Sequence, residues 1–446
     1  MTRRTLTQAG YEQSDLLEAR TVWATGWPGS LPVSDGEALR CSIPYKLTKK
    51  VRPTVKNFLA VERAVRTAPP HDLSGTARAA LIEHYEATGM ELLMADYSLS
   101  VLVPVTAPPD AAEPLSMHTS PEGRAFGSQE PYGRHATRDG TVDLHLPVTV
   151  RGDRLGILTV RLPEHRCTPQ SIEELTELAE LIGHAIIVAE RDTDVFLQAC
   201  RASRLTLAAE MQWQLLPGRA CSRPEYAIGG QLEPAYAIYG DNFDWATTGD
   251  SLTLTITNGM GEGIQASLLT NLAVNALRNA RRAGIGITDQ AALADQALYG
   301  QYKGAQYVST LLLSFELATG HVQLVDAGSP QLWRQRDRTI ERVAFEEQLP
   351  LGMFDESSYT AEEFRALPGD RLIFVSDGVY AAVSEAGEAY GDRALGRAIQ
   401  ATRLLPAASV PRAVLQELAL HRNAEPADDA AVVCLDWFGR SDDRAD

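Results

Sequence analysis

From about residue 225 to 438 the chain is written in short apolar runs, each closed by a turn, with amphipathic stretches set between them. Leu252, Leu254 and Ile256 alternate with polar residues, the period of a half-buried strand. Val308 to Phe315 reads as an apolar strand, and Leu317-Ala318-Thr319-Gly320 turns it back into His321 to Val325. Arg371 to Ser376 and Ala430 to Leu435 read as further buried strands. Helical spacing falls at about 264–283, 288–300, 393–402 and 409–421. Strands in runs with helices set apart predict an α+β fold, a sheet sandwich flanked by helices.

The preceding part has a different grammar. Thr76 to Ala87 looks helical, and Leu92-Leu93-Met94 and Val101-Leu102-Val103 read as strands split by Asp96-Tyr97. Val142, Leu144, Leu146 and Val148 alternate; Arg151-Gly152-Asp153-Arg154 turns the chain, and Leu155 to Val160 returns as a hairpin. Thr168-Pro169 then opens a long helical stretch, with Thr as cap and Pro at the first position; Ser171 with Glu174 offers an alternative capping box. Ile172, Leu175, Leu178, Ile182 and Ile186 make an apolar stripe, and a second stretch runs from about Val195 to Leu216. The stripe serves equally for packing on adjacent domains and for joining two copies of the chain through a connector helix. The expected organisation is an N-terminal extension (1–60), a compact α/β/α module (61–192), the connector helix (193–217), the sandwich (218–438) and a polar tail (439–446).

Charge and cysteine content exclude several functions. The net charge of -17 argues against a nucleic-acid binder, which needs clustered Lys and Arg, and against an anionic membrane surface. No apolar run approaches the ~20 residues that cross a bilayer. The five cysteines are odd in number and form no CxxC pair, which fits a reducing cytoplasm.

The chemistry sits at the strand ends. Asp241 and Asp244 precede the strand at 251–257, Asp377 follows Arg371 to Ser376, and Asp428-Asp429 precede the strand at Ala430. Asn258 follows Leu252 to Thr257 and opens Asn258-Gly259-Met260-Gly261-Glu262-Gly263. A packed sheet holds such side chains rigidly while the turn exposes them. Carboxylates converging there suit Mg²⁺ or Mn²⁺, hard cations that prefer oxygen. There is no HExxH, P-loop or GxSxG, and His321 and His421 lie away from these turns.

Taken in order, the motifs resemble a known family. They are Met211-Gln212-Trp213-Gln214-Leu215-Leu216-Pro217, Gly240-Asp241-Asn242-Phe243-Asp244, Asn258 to Gly263, Asp326-Ala327-Gly328-Ser329-Pro330, Leu349-Pro350-Leu351-Gly352, Ser376-Asp377-Gly378-Val379, Gly387-Glu388-Ala389-Tyr390-Gly391 and Asp428-Asp429-Ala430. Residues from about 205 to 437 resemble the metal-dependent (type 2C, PPM) serine/threonine protein phosphatases, in the bacterial branch typified by the sporulation stage II phosphatase. Residues 61–192 resemble a GAF domain, a small-molecule and partner-sensing module, on the order of elements, on Gly123-Arg124-Ala125-Phe126 and on the Arg154 to Leu158 hairpin.

The resemblance implies two Mn²⁺ or Mg²⁺ ions and a water that attacks phosphorus without a phosphoenzyme. It implies Asp241, Asp377, Asp428 and the backbone carbonyl of Gly259 as ligands, with Asp244 and Asp429 as secondary ones. It further implies a phosphorylated regulatory protein, such as an anti-sigma-factor antagonist, as substrate. Asn258 stands where the family has the aspartate that bridges the metals, and Glu262 brings a carboxylate nearby. Two classes follow: an active phosphatase controlled by the sensory module, or a pseudophosphatase in which the same fold binds a phosphoprotein without turnover.

Overall fold

The computed structural model describes residues 55–105, 113–135, 140–237, 240–391, 393–422 and 428–440. The expected extension up to residue 54 and the tail beyond 440 lie outside the described residues. No helix among the described residues is long and apolar enough to cross a membrane. Among the described residues Cys200, Cys221 and Cys434 are free thiols.

The N-terminal module comprises α1 (Val55–Thr67), α2 (Leu73–Tyr85), β1 (Gly89–Ala95), β2 (Val101–Pro104), β3 (Leu115–Ser116), α3 (Pro121–Ser128), β4 (Tyr132–His135), β5 (Thr141–Val150), β6 (Asp153–Pro163) and α4 (Pro169–Ala189). Its strands form one antiparallel sheet in the order β3-β2-β1-β6-β5-β4. Alternation decides the faces. Leu144, Leu146 and Val148 pack with Leu175, Leu178, Ile182 and Ile186 of α4. Leu93, Ala95 and Ile157 point the other way, onto Phe126 of α3. The α4 stripe is thus spent inside the chain and not on a second copy. Thr168 caps α4 as its sequence predicts, its Oγ1 accepting from Ser171 N at 3.2 Å. The alternative box is unused, since Glu174 accepts from Tyr85 Oη and Gln170 Nε2.

The expected connector helix is two short helices, α5 (Val195–Ala199) and α6 (Leu207–Leu215). The break has a physical cause. Cys200 O accepts from Tyr97 N at 3.1 Å and Ala202 N donates to Tyr236 Oη at 3.0 Å, so these backbone groups are spent on distant partners. Asp96, fully buried, accepts from Tyr236 Oη at 2.8 Å, and Arg219 donates to the Asp96 carbonyl at 3.0 Å. The Tyr97 ring lies 4.7 Å from that of Trp213. The N-terminal module therefore rests directly on α6 and on the sheet that follows.

The C-terminal part contains β7 (Ala220–Ser222), β8 (Tyr226–Glu233), β9 (Asn242–Thr247), β10 (Ser251–Gly259), α7 (Gly263–Arg282), α8 (Ile287–Tyr302), β11 (Val308–Glu316), β12 (His321–Ala327), β13 (Gln331–Arg336), β14 (Thr339–Val343), β15 (Glu362–Arg365), β16 (Arg371–Val375), α9 (Asp377–Tyr380), α10 (Ala394–Ala401), α11 (Val410–Arg422) and β17 (Ala430–Trp437). Two antiparallel sheets, β15-β12-β11-β10-β9 and β14-β13-β16-β17-β8-β7, stack face to face. Phe243, Ile256, Leu311 and Leu324 of one meet Phe374, Val433 and Leu435 of the other. Val308, Leu312 and Val325 face outward onto α7 and α8; Ile373, Val375 and Val432 face outward onto α10 and α11. The sandwich is thus helix, sheet, sheet, helix, as the sequence pattern predicts.

The inner layer carries most of the stability. Phe374 is fully buried between the sheets, whereas Leu404 is 66% exposed. Phe374→Ala should cost about 3–5 kcal/mol and Leu404→Ala less than about 0.5 kcal/mol. Urea denaturation of both variants checks this contrast.

Candidate functional site

The strand register brings Asp241, Asn258 and Asp429 to one end of the sandwich. Phe243 and Trp245 point between the sheets, so Asp241, two residues earlier, shares their parity. Asn242 pairs with Thr257, which places Asn258 opposite Asp241 one step on. Ser376 continues the inward parity of Leu372 and Phe374, and Asp429 that of Ala431 and Val433. The inward rows of both sheets therefore end at one mouth.

That mouth is tied by specific bonds. Asp429, buried, accepts on Oδ2 from Gly240 N at 2.7 Å and Asp241 N at 3.1 Å. Ala431 N donates to Ser376 Oγ at 2.8 Å, and the Ser376 hydroxyl is bonded in turn to the Asp241 carboxylate. Thr270 Oγ1 of α7 donates to Gly240 O at 2.6 Å. Glycine is required where the turns touch. A Cβ on Gly378 would lie 1.6 Å from the Asp429 carbonyl, and one on Gly240 would lie 2.5 Å from the Gly259 carbonyl.

The electrostatics follow from this crowding. Asp241 is 2% exposed and its Oδ2 has no hydrogen-bond partner. Burial first, then the charges of Asp429, Asp377 and Asp428, push its carboxyl well above the usual range, against the pull of Ser376. Asp428, at the exposed rim, is also pushed up, by partial burial and by Asp377 and Glu262, against the Asp429 N–H. Asp377, half-buried, accepts from its neighbour Gly378 N at 2.9 Å. Among the described residues no three His, Cys, Asp or Glu side chains form a group that could hold a metal ion. An open set of one or two carboxylates with water still suits Mg²⁺, which keeps much of its hydration shell.

Asp244 is not part of this cluster. It has the opposite strand parity, and both its oxygens are taken by Arg278 and Arg281 of α7 at 2.7 to 3.1 Å. Asp429, also expected as a secondary ligand, spends Oδ2 on the two backbone N–H groups above. Glu262 is exposed beside α7 and reaches the cluster through its charge on Asp428. Asn258 is half-buried and donates from Nδ2 to Ser329 Oγ at 3.1 Å. Gln212 and Thr270 do not emerge from the sequence as site residues. Gln212, fully buried on α6, accepts from Asn242 Nδ2 at 2.9 Å, directly beside Asp241. Its signal was its place in the 211–217 motif.

The mouth thus gathers oxygen groups around a buried carboxylate oxygen, Oδ2 of Asp241, that has no hydrogen-bond partner. Residues 248–438 match the family model described as Stage II sporulation protein E (SpoIIE). The phosphoserine phosphatase RsbU of Bacillus subtilis (strain 168) is 22% identical over 219 residues, covering 49% of this chain and 64% of that protein. The chain therefore spans somewhat less than two thirds of the curated relative it matches. Among solved structures, the PP2C phosphatase domain with a regulatory fragment of SpoIIE from Bacillus subtilis aligns at 18% identity and a TM-score of 0.44, over 49% of this chain and 66% of that one. The SiaA-PP2C domain of Pseudomonas aeruginosa aligns at 18% identity and a TM-score of 0.44, over 52% and 94%.

A further acid stands on the inner face. Asp326 of β12 is pushed up to about 6, chiefly by burial and then by Glu347 and Glu362, although Gly328 N donates to its Oδ1 at 3.0 Å. The folded chain therefore holds this proton above the pH, about 4, at which the unfolded chain releases it. Stability from this group is full below about 4 and is lost as pH rises through about 6. Asp326→Asn, which keeps the acceptor, should be more stable than wild type above pH 6 by on the order of 1 kcal/mol, allowing for solvent screening, and little different below pH 4. Denaturation midpoints at both pH values check it; a pH-independent gap would refute the assignment.

Proposed function

We propose that the chain is a metal-dependent phosphatase acting on phosphoserine or phosphothreonine of a regulatory partner protein. The observation that supports this reading is that Asp377 and Asp428, distant in sequence, both act through their charge on the buried carboxyl of Asp241. The SpoIIE match over 248–438 and the similarity to a phosphoserine phosphatase support it.

The donor chemistry fits a Mn²⁺ or Mg²⁺ centre. All the groups are oxygens, and the unpartnered Oδ2 of Asp241 sits among like charges that a cation would offset. Asp241, Asp377, Asp428 and the Gly259 carbonyl would hold it, with Asn258 contributing a neutral oxygen. When bound, such an ion lowers the pKa of a coordinated water and offsets phosphoryl charge. The chain's own residues supply position. Asp429 fixes the 240–241 turn, Ser376 orients Asp241, and Thr270 anchors Gly240 to α7. The comparisons do not favour the pseudophosphatase alternative.

The N-terminal module serves as a GAF-like sensory domain. Its route to the site is short: the Tyr97 ring lies tilted against Trp213, and Gln212, the preceding residue, holds Asn242 beside Asp241. The partner is a small phosphorylated regulatory protein of the anti-sigma-factor-antagonist kind, and the setting is the cytoplasm.

Two measurements test these readings. With Mn²⁺ and a phosphoserine protein substrate, Asp241→Ala and Asp377→Ala should each lower kcat by about 100-fold or more, the scale of losing a group that stabilises the transition state. Undiminished turnover in Asp241→Ala would end the proposal. Asp96→Asn with Tyr236→Phe loosens the contact between module and sandwich, and should change kcat severalfold when assayed well below the variant's own thermal melt. An unchanged rate would remove the module's hold on the site.

A further inference from the structure

Asn258 raises a question of orientation, because an amide offers an oxygen on one side and an N–H₂ on the other. Its neighbours settle it by proton count. Tyr380 Oη donates its single proton to the Ser329 main-chain carbonyl at 2.9 Å. Ser329 Oγ lies 3.4 Å from the same Tyr380 oxygen, so in that contact the serine must be the donor. Serine has one hydroxyl proton, and Oγ therefore faces Asn258 as an acceptor. Nδ2 of Asn258 donates to it at 3.1 Å. The carbonyl oxygen is the Asn258 atom that Ser329 does not use.

The backbone supplies an independent sign. Ser329 has φ +64°, in the left-handed region. A side chain other than Gly or Asn is held there at a cost of about 1 kcal/mol, and such positions cluster at functional sites. Both the side chain and the carbonyl of Ser329 are engaged by the network just described.

The geometry points to Ser329, backed by Tyr380, as a positioning residue that orients the Asn258 amide so that its oxygen, and not its nitrogen, is the donor offered to a divalent cation at the mouth. This rests on the metal-dependent reading above. The serine and asparagine then form a matched pair. A carboxylate at 258 would present oxygen in either orientation and would not need the serine as acceptor.

Mn²⁺ titration of the full chain by calorimetry tests this without any turnover. Ser329→Ala should weaken Mn²⁺ binding about 10-fold, the usual scale for a group that orients a ligand. In the Asn258→Asp background the same substitution should change affinity by less than about 2-fold, because the carboxylate oxygens are equivalent. Tyr380→Phe releases the serine proton and should weaken binding in the same background-dependent way, which covers the case of a poorly folded Ser329→Ala. Equal losses in both backgrounds would reduce Ser329 to a structural role and overturn the proposal, as would no loss in wild type. Asp241→Ala separates the two levels. If it abolishes Mn²⁺ binding while Ser329→Ala has no effect, only the positioning role falls. If Mn²⁺ binds as tightly without Asp241, the metal reading falls and takes the positioning role with it.

Discussion

One carboxylate oxygen holds the mouth of the sandwich. Asp429 Oδ2, extending from the start of β17, takes the N–H groups of Gly240 and Asp241 at the start of β9. These strands belong to different sheets, so the bonds close the open end that side-chain packing alone would leave to splay. Bonds to an ionised acceptor are roughly twice as strong as neutral ones. They also fix the sign of everything nearby, because a buried anion beside Asp241 raises that carboxyl's hold on its proton. The clamp that ties the mouth is therefore also the largest charge acting on Asp241.

The same logic of spent backbone groups explains how the N-terminal module meets the sandwich. The chain between α5 and α6 gives Cys200 O to Tyr97 and Ala202 N to Tyr236. A continuous helix would have to reclaim both groups. Against the upward push of burial, the Ser98 hydroxyl, then Val101 N–H, Tyr236 Oη and Ser100 N–H, hold the carboxyl of Asp96 below the usual range. A charge so fully satisfied is costly to expose, so the contact behaves as part of the core.

What the sequence discloses and what it hides divide along one line. Strand positions, the α4 cap and the inward rows follow from local periodicity, and so did the sandwich. Asp241 and Asp244 differ only in parity. The alternation Asp241, Phe243, Trp245 already separates them, once the aromatic pair is read as inward. The broken connector was not legible, because its backbone partners lie about 34 and 100 residues away. The two members of the Asp428-Asp429 doublet look alike in sequence, yet one reaches the rim while the other is buried as a clamp. Only the register of β17 against β8 and β16 decides which.

Asn258 is best understood within that charge balance. It stands opposite Asp241, where Asp429, Asp377 and Asp428 already press on a buried carboxyl. An aspartate there would add a further like charge at the point of least hydration, and without a counter-ion the pair would have to share a proton. An amide keeps an oxygen in place without that penalty. The acidity lost from the centre is retained further out, on exposed Glu262 beside Asp428 and on Asp326 along the inner face. In such a site the orientation of a single neutral oxygen counts for more than it would beside a full set of carboxylates.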